Sequence, residues 1–294
     1  MSLEMVKEAL TAMQTWEQPF QVHLTGGEPF LNYPLLLQAV EIAASIGIPC
    51  YLETNAGWCV GEELVADRFE TLMHAGLQAV LISCSPFHAE SIPVKNTLLA
   101  IRKAMEIFGP RRVIVYLPEW LDQVKRFGIE KPTPLERYIE EYGAQEAGEL
   151  FWEGYGLISG GRSGYRLGDL AHKLLVSAFR GQNCRIEILY AHHSHFDLYG
   201  NYISGFCGGL TVGSWEELPR LLVDFQAENY PPLIARLIEY GPYGLYELAR
   251  DQYEYTPLED GYAGKCHLCV DVRRCMVQSM DYPELRPAEF YARI

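Results

Sequence analysis

Two groups of residues have the types and spacing to do chemistry. The first is the run His23-Leu24-Thr25-Gly26-Gly27-Glu28-Pro29. Paired glycines take backbone conformations closed to other residues and let a ligand come close to bare peptide groups. Glu28 sets one carboxylate beside those groups, and Pro29 stops the strand before it. Such a site suits the charged amino-acid end of a small molecule, with its ammonium on Glu28 and exposed carbonyls and its carboxylate on nearby N–H groups. A tight strand-to-helix turn without a ligand is the plain alternative for so short a match. The second group is Cys184, Cys207, Cys266 and Cys269, the last two forming Cys-x2-Cys. Four thiolates suit either a tetrahedral zinc or a four-iron four-sulfur cluster. For the Cys-x2-Cys by itself, two unpaired cysteines on a turn is the alternative. Cys275 is either a substitute ligand or a bystander on the final helix. His192, His193 and His195 either add a ligand, line a cavity or form a satisfied polar network. His88 is the better-placed catalytic acid or base, because it follows a strand end.

These residues need elements to position them. Leu3, Val6, Leu10 and Met13 recur at helical spacing, so the chain opens on an amphipathic helix. Strands are expected at Phe20 to Thr25, Ile48 to Glu53, Ala79 to Cys84, Val113 to Leu117 and Tyr155 to Ile158. Helices are expected from Pro34 to Ile46 with Gly47 as the stop, from Glu62 to His74, and from Val94 to Phe108. Short apolar strands alternating with helices predict a parallel sheet with helices packed outside. Right-handed crossovers then place the strand ends on one rim. The Gly26–Glu28 turn, Glu53–Asn55, Ser83–Ser85 and Gly160–Arg162 are expected there, where α/β folds bind ligands. From about Leu167 the pattern changes. It predicts a helix to Phe179, a strand Arg185 to Tyr190, two short strands around Tyr199-Gly200-Asn201, and helices near Leu218–Phe225, Leu233–Tyr240 and Leu245–Tyr253. A boundary near Arg166 divides the chain into segments 1–166 and 167–294.

Composition narrows the classes. The 294 residues are 49% hydrophobic and 21% charged, enough apolar matter for a sizeable core. A formal charge of −14 argues against nucleic acid or an anionic membrane as partner. No apolar run is long enough to cross a bilayer and no signal peptide is visible, so the cytoplasm is expected. Eight cysteines in a reducing compartment favour metal-binding thiolates over a disulfide framework.

On these residues the chain resembles the radical S-adenosylmethionine (SAM) superfamily, whose fold is a partial (βα)6 barrel. The resemblance covers roughly residues 1 to 165. The family's Gly-Gly-Glu-Pro is matched by Gly26, Gly27, Glu28 and Pro29, which by resemblance hold the amino group of the SAM methionine. The family's Glu-Thr-Asn-Gly is approached by Glu53-Thr54-Asn55-Ala56-Gly57, with one alanine interposed. The match implies that Glu53 and Asn55 approach the SAM ribose or carboxylate, with Ser83 and Arg162 as further family positions. The expected fold class is therefore an α/β partial parallel barrel missing its first strand, with a smaller α+β metal-binding domain after it. The second half resembles a twitch or SPASM domain, in which the four cysteines would hold one auxiliary four-iron four-sulfur cluster, with zinc as the rival. Ser279 stands where the last SPASM cysteine is expected, which favours one cluster over two.

The sequence departs from the family in one large respect. The Cys-x3-Cys-x2-Cys that holds the reactive cluster is missing, and Cys50, Cys59 and Cys84 lack its spacing. Truncation of a longer enzyme or loss of the cluster are the two explanations, of which truncation is favoured because so much of the SAM shelf remains. In the intact enzyme the resemblance implies a 5′-deoxyadenosyl radical that takes hydrogen from a peptide or small-molecule substrate. That substrate would be held between the barrel mouth and the second domain, with an external electron donor. A SAM-binding scaffold with a structural four-cysteine metal site is the alternative. Lacking a first strand, Phe20–Thr25 is expected to be an edge covered by another chain, by the N-terminal segment or by a crystal neighbour, with a dimer through that strand as one outcome.

Overall fold

The computed structural model describes residues 1–15, 20–214 and 226–294. The chain divides into two compact units, Ser2–Gly143 and Ala144–Ile294. The division thus falls before the Arg166 boundary expected from sequence.

The first unit opens on α1 (Leu3–Met13), capped by Ser2, whose hydroxyl accepts from the Met5 N–H at 3.2 Å. It buries Val6, Ala9, Leu10 and Met13, the stripe that its periodicity predicts. Then come β1 (Val22–Leu24), a single 3-10 turn (Pro29–Asn32), α2 (Tyr33–Ser45), β2 (Cys50–Thr54), α3 (Glu62–His74) and β3 (Ala79–Ser83). The short α4 (Pro86–Ala89), α5 (Val94–Phe108), β4 (Val113–Tyr116), α6 (Pro118–Lys125) and α7 (Leu135–Tyr142) complete it. The strands form one parallel sheet in the order β1-β2-β3-β4. Val22 pairs with Cys50, Leu52 with Val80 and Ile82 with Val115. On β2 the residues Cys50, Leu52 and Thr54 are buried in alternation, as the two-residue period of a strand requires. Helix residues Val40, Val65, Phe69 and Ala100 are fully enclosed with them. The outer strand β4 keeps Ile114 and Tyr116 about half exposed, at 47% and 49%.

The second unit begins with α8 (Ala144–Glu149), which runs into a π turn at Leu150–Gly154, and continues with α9 (Arg162–Leu167) and α10 (Arg185–Leu189). The strand expected at Tyr155–Ile158 does not form. The Tyr155 N–H donates to the Leu150 carbonyl and the Leu157 N–H to the Phe151 carbonyl, so the preceding turn consumes the donors a strand would use. Gly156, at φ +62°, breaks the extended run as well. The expected helix from Leu167 to Phe179 is likewise two 3-10 turns, Gly168–Leu170 and Val176–Phe179, with a bridge between Leu174 and Tyr262. Arg185–Tyr190 is the helix α10 and not a strand. Cys184 and Ile188, four apart, are its buried residues, whereas Ile186 is 72% exposed. One turn of helix explains that spacing and alternation does not.

A three-stranded antiparallel sheet follows, β5 (Ser194–Phe196), β6 (Asn201–Ser204) and β7 (Gly213–Ser214). Asp197 and Gly200 turn β5 into β6, as the Tyr-Gly-Asn run predicts. The helix expected at Leu218–Phe225 lies outside the described residues. The two further helices expected from sequence form and run end to end as α11 (Pro232–Tyr253), separated at Gly241 by a φ of +60° ahead of Pro242. The helix α12 (Lys265–Met276) then carries three cysteines, and α13 (Ala288–Tyr291) ends the fold. Among the described residues, no helix is long and apolar enough to cross a membrane.

Candidate functional site: a strand-end rim and a cysteine cluster

In the first unit, parallel pairing brings the ends of β1, β2 and β3 side by side, and hydrogen bonds tie them together. Gly26 and Gly27 take φ of +92° and +58°, and a Cβ built on either meets no atom within 4 Å. Both are exposed, so their peptide groups face open space. Glu28 turns back from this loop and braces β2. Its carboxylate accepts from the Asn55 N–H at 2.8 Å, the Phe30 N–H at 3.2 Å and the Thr54 hydroxyl at 2.9 Å. A carboxylate has about four acceptor positions, so about one remains for a ligand donor. Burial raises the Glu28 pKa, against the lowering effect of those backbone donors. Pro29 starts the 3-10 turn that packs Phe30 flat on Trp58, with ring centroids 3.7 Å apart.

Glu53, at the end of β2, has a different environment. His23 Nε2 lies 3.1 Å from its carboxylate, Thr25 donates to it at 3.1 Å, and the Ser83 hydroxyl donates from β3. The His23 hydrogen bond is the largest influence, and these donors hold the Glu53 carboxyl down at about 2 despite burial. One carboxylate is thus pulled toward neutrality and the other fixed as an anion. Asn55 spends its side-chain oxygen on the Gly57 N–H at 2.8 Å, which shapes the turn through left-handed, buried Ala56. The indole N–H of Trp58 donates to the Thr54 hydroxyl at 3.0 Å.

His88 stands on α4, just past β3. Its Nδ1 is 2.7 Å from the Ser85 hydroxyl, and burial lowers its pKa while the Glu53 charge opposes that shift. A neutral imidazole in electrostatic reach of Glu53 has the form of a proton acceptor.

The rim therefore gathers Gly26, Gly27, Glu28, Pro29, Glu53, Asn55, Ser83 and His88. Arg162 belongs to the other unit, where it is the exposed first residue of α9 and does not follow a strand. Sequence reasoning named the stretches that hold His23, Thr25, Thr54 and Ser85 but gave none of the four a role of its own. The signal for His23 was present: with His23 paired to Tyr51, Glu53 lies one pleat further along the same face. His23 and Tyr51 stack with centroids 4.3 Å apart.

In the second unit the four cysteines come from three places. Cys184 caps α10, Cys207 follows β6, and Cys266 and Cys269 sit in the first turns of α12. Burial is the main cause that raises the Cys184 thiol, and it pushes Cys207 up to about 12 and Cys266 to about 11. The next influence on each of the three is the negative charge of Cys269, so the four are electrostatic neighbours. Among the described residues, no group of three or more His, Cys, Asp or Glu side chains is arranged to hold a metal ion. Cys275 lies further along α12, where its thiol faces the Tyr253 carbonyl at 4.0 Å. His193 stacks on Phe206 and meets His195 at a tilt, with ring centroids 4.6 Å apart, and His195 Nδ1 meets the Gly205 carbonyl at 2.9 Å.

The donor sets test which groups fit. The open glycine loop and the remaining acceptor position on Glu28 fit the amino-acid end of SAM. The four thiols are electrostatic neighbours and have the donor chemistry of a thiolate-held group, but among the described residues no three of them are arranged to hold an ion. Cys50, Cys59 and Cys84 do not fit a reactive cluster. All three are buried in the first unit, and burial raises their thiols, to about 11 for Cys50 and about 12 for Cys84. No family model matches this chain, and no curated protein matches it.

Proposed function

We propose that this chain binds SAM on the strand-end rim of its first unit, as a radical SAM enzyme or part of one. It holds one auxiliary iron–sulfur cluster with Cys184, Cys207, Cys266 and Cys269 in its second. The observation that carries the proposal is the rim itself: an open Gly26–Gly27 loop hydrogen-bonded through Glu28 to the Thr54–Asn55 end of the neighbouring strand. The fold that suits it is a partial (βα) barrel, a reading supported by four parallel strands paired in chain order.

When bound with a reducing cluster, SAM supplies a radical that removes hydrogen from a substrate. The residues of this chain do the positioning. The Gly26–Gly27 peptide groups would receive the methionyl end, Glu28 would accept from its ammonium, and Glu53, braced by the Ser83 hydroxyl, would present a fixed anion to the sugar. His88, neutral and leaning on Ser85, stands ready to accept a proton from a peptide or small-molecule substrate. The first unit's own cysteines are ill suited to a reactive cluster, so no step is assigned to them. That same observation favours a second reading, a SAM-binding scaffold without radical chemistry.

Ligand-observed NMR with millimolar SAM tests the rim. The wild-type chain is expected to show saturation transfer to SAM, and Gly27→Val to lose at least about tenfold in affinity while keeping its circular dichroism. Equal binding by both proteins removes the rim from the proposal. Iron and sulfide analysis of protein prepared anaerobically tests the second site: about four of each per chain is expected, and one zinc with no iron rejects the cluster.

A further inference from the structure

The second unit gathers three phenols around one carboxylate, and neither the rim nor the cysteines use them. Asp271, on α12, accepts hydrogen bonds on both carboxylate oxygens. The Tyr165 hydroxyl donates to Oδ1 at 2.9 Å, and the Tyr255 hydroxyl donates to Oδ2. Tyr262 stands behind Tyr255, with the two hydroxyls 2.6 Å apart, and its oxygen accepts from the Leu258 N–H at 2.9 Å. Because the Tyr255 proton is committed to Asp271, Tyr262 is the donor between the two phenols. The hydrogen bonds thus run one way, from Leu258 through Tyr262 and Tyr255 into the carboxylate.

Tyr262 is fully enclosed and Tyr255 is 8% exposed. Burial is the main cause that raises all three phenols, Tyr262 to about 12, so each keeps its proton near neutral pH. Among the described residues no Lys, Arg or His forms an ion pair with Asp271, and Arg274 lies instead over the Tyr165 ring, 5.5 Å from its centroid. Gly261, at φ +81°, sets Tyr262 into its bridge with Leu174, where a Cβ would stand 2.6 Å from the Leu174 carbonyl oxygen. A line of rings leads outward from the cluster. Tyr255 meets Tyr246 edge-on with centroids 6.3 Å apart, and Tyr246 lies 5.7 Å from Tyr243. Tyr243 is only half-buried, and the exposed Arg180 reaches its hydroxyl at 2.7 Å.

An oxidised phenol is a strong acid, so a buried tyrosine gives up an electron readily only when a base stands ready for its proton. Asp271 Oδ2 is such a base. Transfer of that proton takes the cluster from one negative charge to none, which relieves the cost of holding an unpaired carboxylate away from water.

We propose that Tyr255 and Asp271 form a one-electron redox site, reached from the surface through Tyr243 and Tyr246. On oxidation the Tyr255 O–H bond breaks, its proton bonds to Asp271 Oδ2, and its electron passes along the rings to a small external one-electron oxidant. The oxidant gains that electron, and a neutral tyrosyl radical remains, held by hydrogen bonds from the new carboxylic acid and from Tyr262. Return of one electron reverses both transfers. The site depends on neither the rim nor the thiols, so the failure of either leaves it in place. A purely structural role, in which Asp271 staples α9 and the Tyr255–Tyr262 segment to α12, predicts lost stability on substitution and no stored radical.

The test uses the full chain, flashed with tris(bipyridine)ruthenium(II) and a cobalt(III) ammine as sacrificial acceptor, so that ruthenium(III) is the oxidant. Electron paramagnetic resonance and the visible band of the tyrosyl radical follow the product. Wild type is expected to hold a long-lived radical coupled to a proton that exchanges in deuterium oxide. A positioned base contributes a hundredfold or more to proton transfer, so Tyr255→Phe and Asp271→Asn are each expected to lose at least about tenfold of that signal. Asp271→Glu restores it, Tyr243→Phe delays its appearance, and Tyr199→Phe, exposed and outside the cluster, leaves it unchanged. Circular dichroism checks that each variant is folded. A full signal in Tyr255→Phe or Asp271→Asn overturns the site, and an undelayed one in Tyr243→Phe overturns the path. Should these variants not fold, wild type alone decides: no long-lived radical, or one without an exchangeable proton, overturns the proposal.

Discussion

At the scale of single residues, the rim contrasts two carboxylates. Glu53 is surrounded by donors and Glu28 by a mixture of burial and donors, and the resulting pKa directions are opposite. Glu53 gives a pH prediction. Its carboxyl is held at about 2, below the ordinary 4.5, so the folded state favours the anion. That contribution is whole above pH 4.5 and is lost as pH falls toward 2. Solvent screens a partly exposed group, so the contribution is on the order of 2 kcal/mol. Urea unfolding of wild type and Glu53→Gln is expected to differ by that amount at neutral pH and to converge in acid. A constant difference at all pH values contradicts the linkage. These partners were only partly legible in the sequence. Gly26, Gly27 and Glu28 stood out because few sequences put two glycines and a carboxylate after an apolar strand. Thr54 and Ser85 did not, since a lone hydroxyl becomes informative only when the register across strands is known.

At the scale of elements, helix α11 decides where Cys184 sits. The Cys184 N–H donates to the Leu237 carbonyl on α11. Four residues later Gly241 takes φ +60°, and a Cβ there would lie 2.1 Å from the Gln182 carbonyl oxygen and 2.9 Å from the Asn183 Cα. Gly241→Ala therefore both strains the backbone and pushes away the segment that carries Cys184. It is expected to cost at least about 2 kcal/mol in chemical unfolding and to weaken metal retention with it. Full stability in that variant contradicts the account. Elements with their own local signals were readable: Glu62–His74 and Val94–Phe108 appear with the bounds expected. Tyr155–Ile158 and Arg185–Tyr190 were not, because a four- to six-residue apolar run pairs with a sheet or closes a turn according to contacts distant in sequence. The two helices expected on either side of Gly241 were correct in number but join end to end, since Pro242 is tolerated as the first residue of the second.

At the scale of the whole molecule, the division into Ser2–Gly143 and Ala144–Ile294 has a thermodynamic meaning. Two compact units, one of them carrying the proposed metal site, are expected to unfold in two calorimetric transitions and not one. Removing metal with a chelator is expected to lower one of them, by roughly 5–10 °C, and to leave the other in place. A single transition, or two that move together, argues against independent units. The parallel order of the first unit was legible from alternating strands and helices. The composition of the second was not, because its cysteines are brought together by turns and loops that carry no periodic signal.

The indole of Trp58 lies flat against Phe30, and its N–H rests on the same hydroxyl that Thr54 offers to Glu28. A cation arriving at that carboxylate redraws the hydrogen bonding one atom away from a fluorophore. The cradle thus carries its own dye, and the difference spectrum between the wild-type chain and Trp58→Phe isolates this emission from that of the other four tryptophans among the chain's 5.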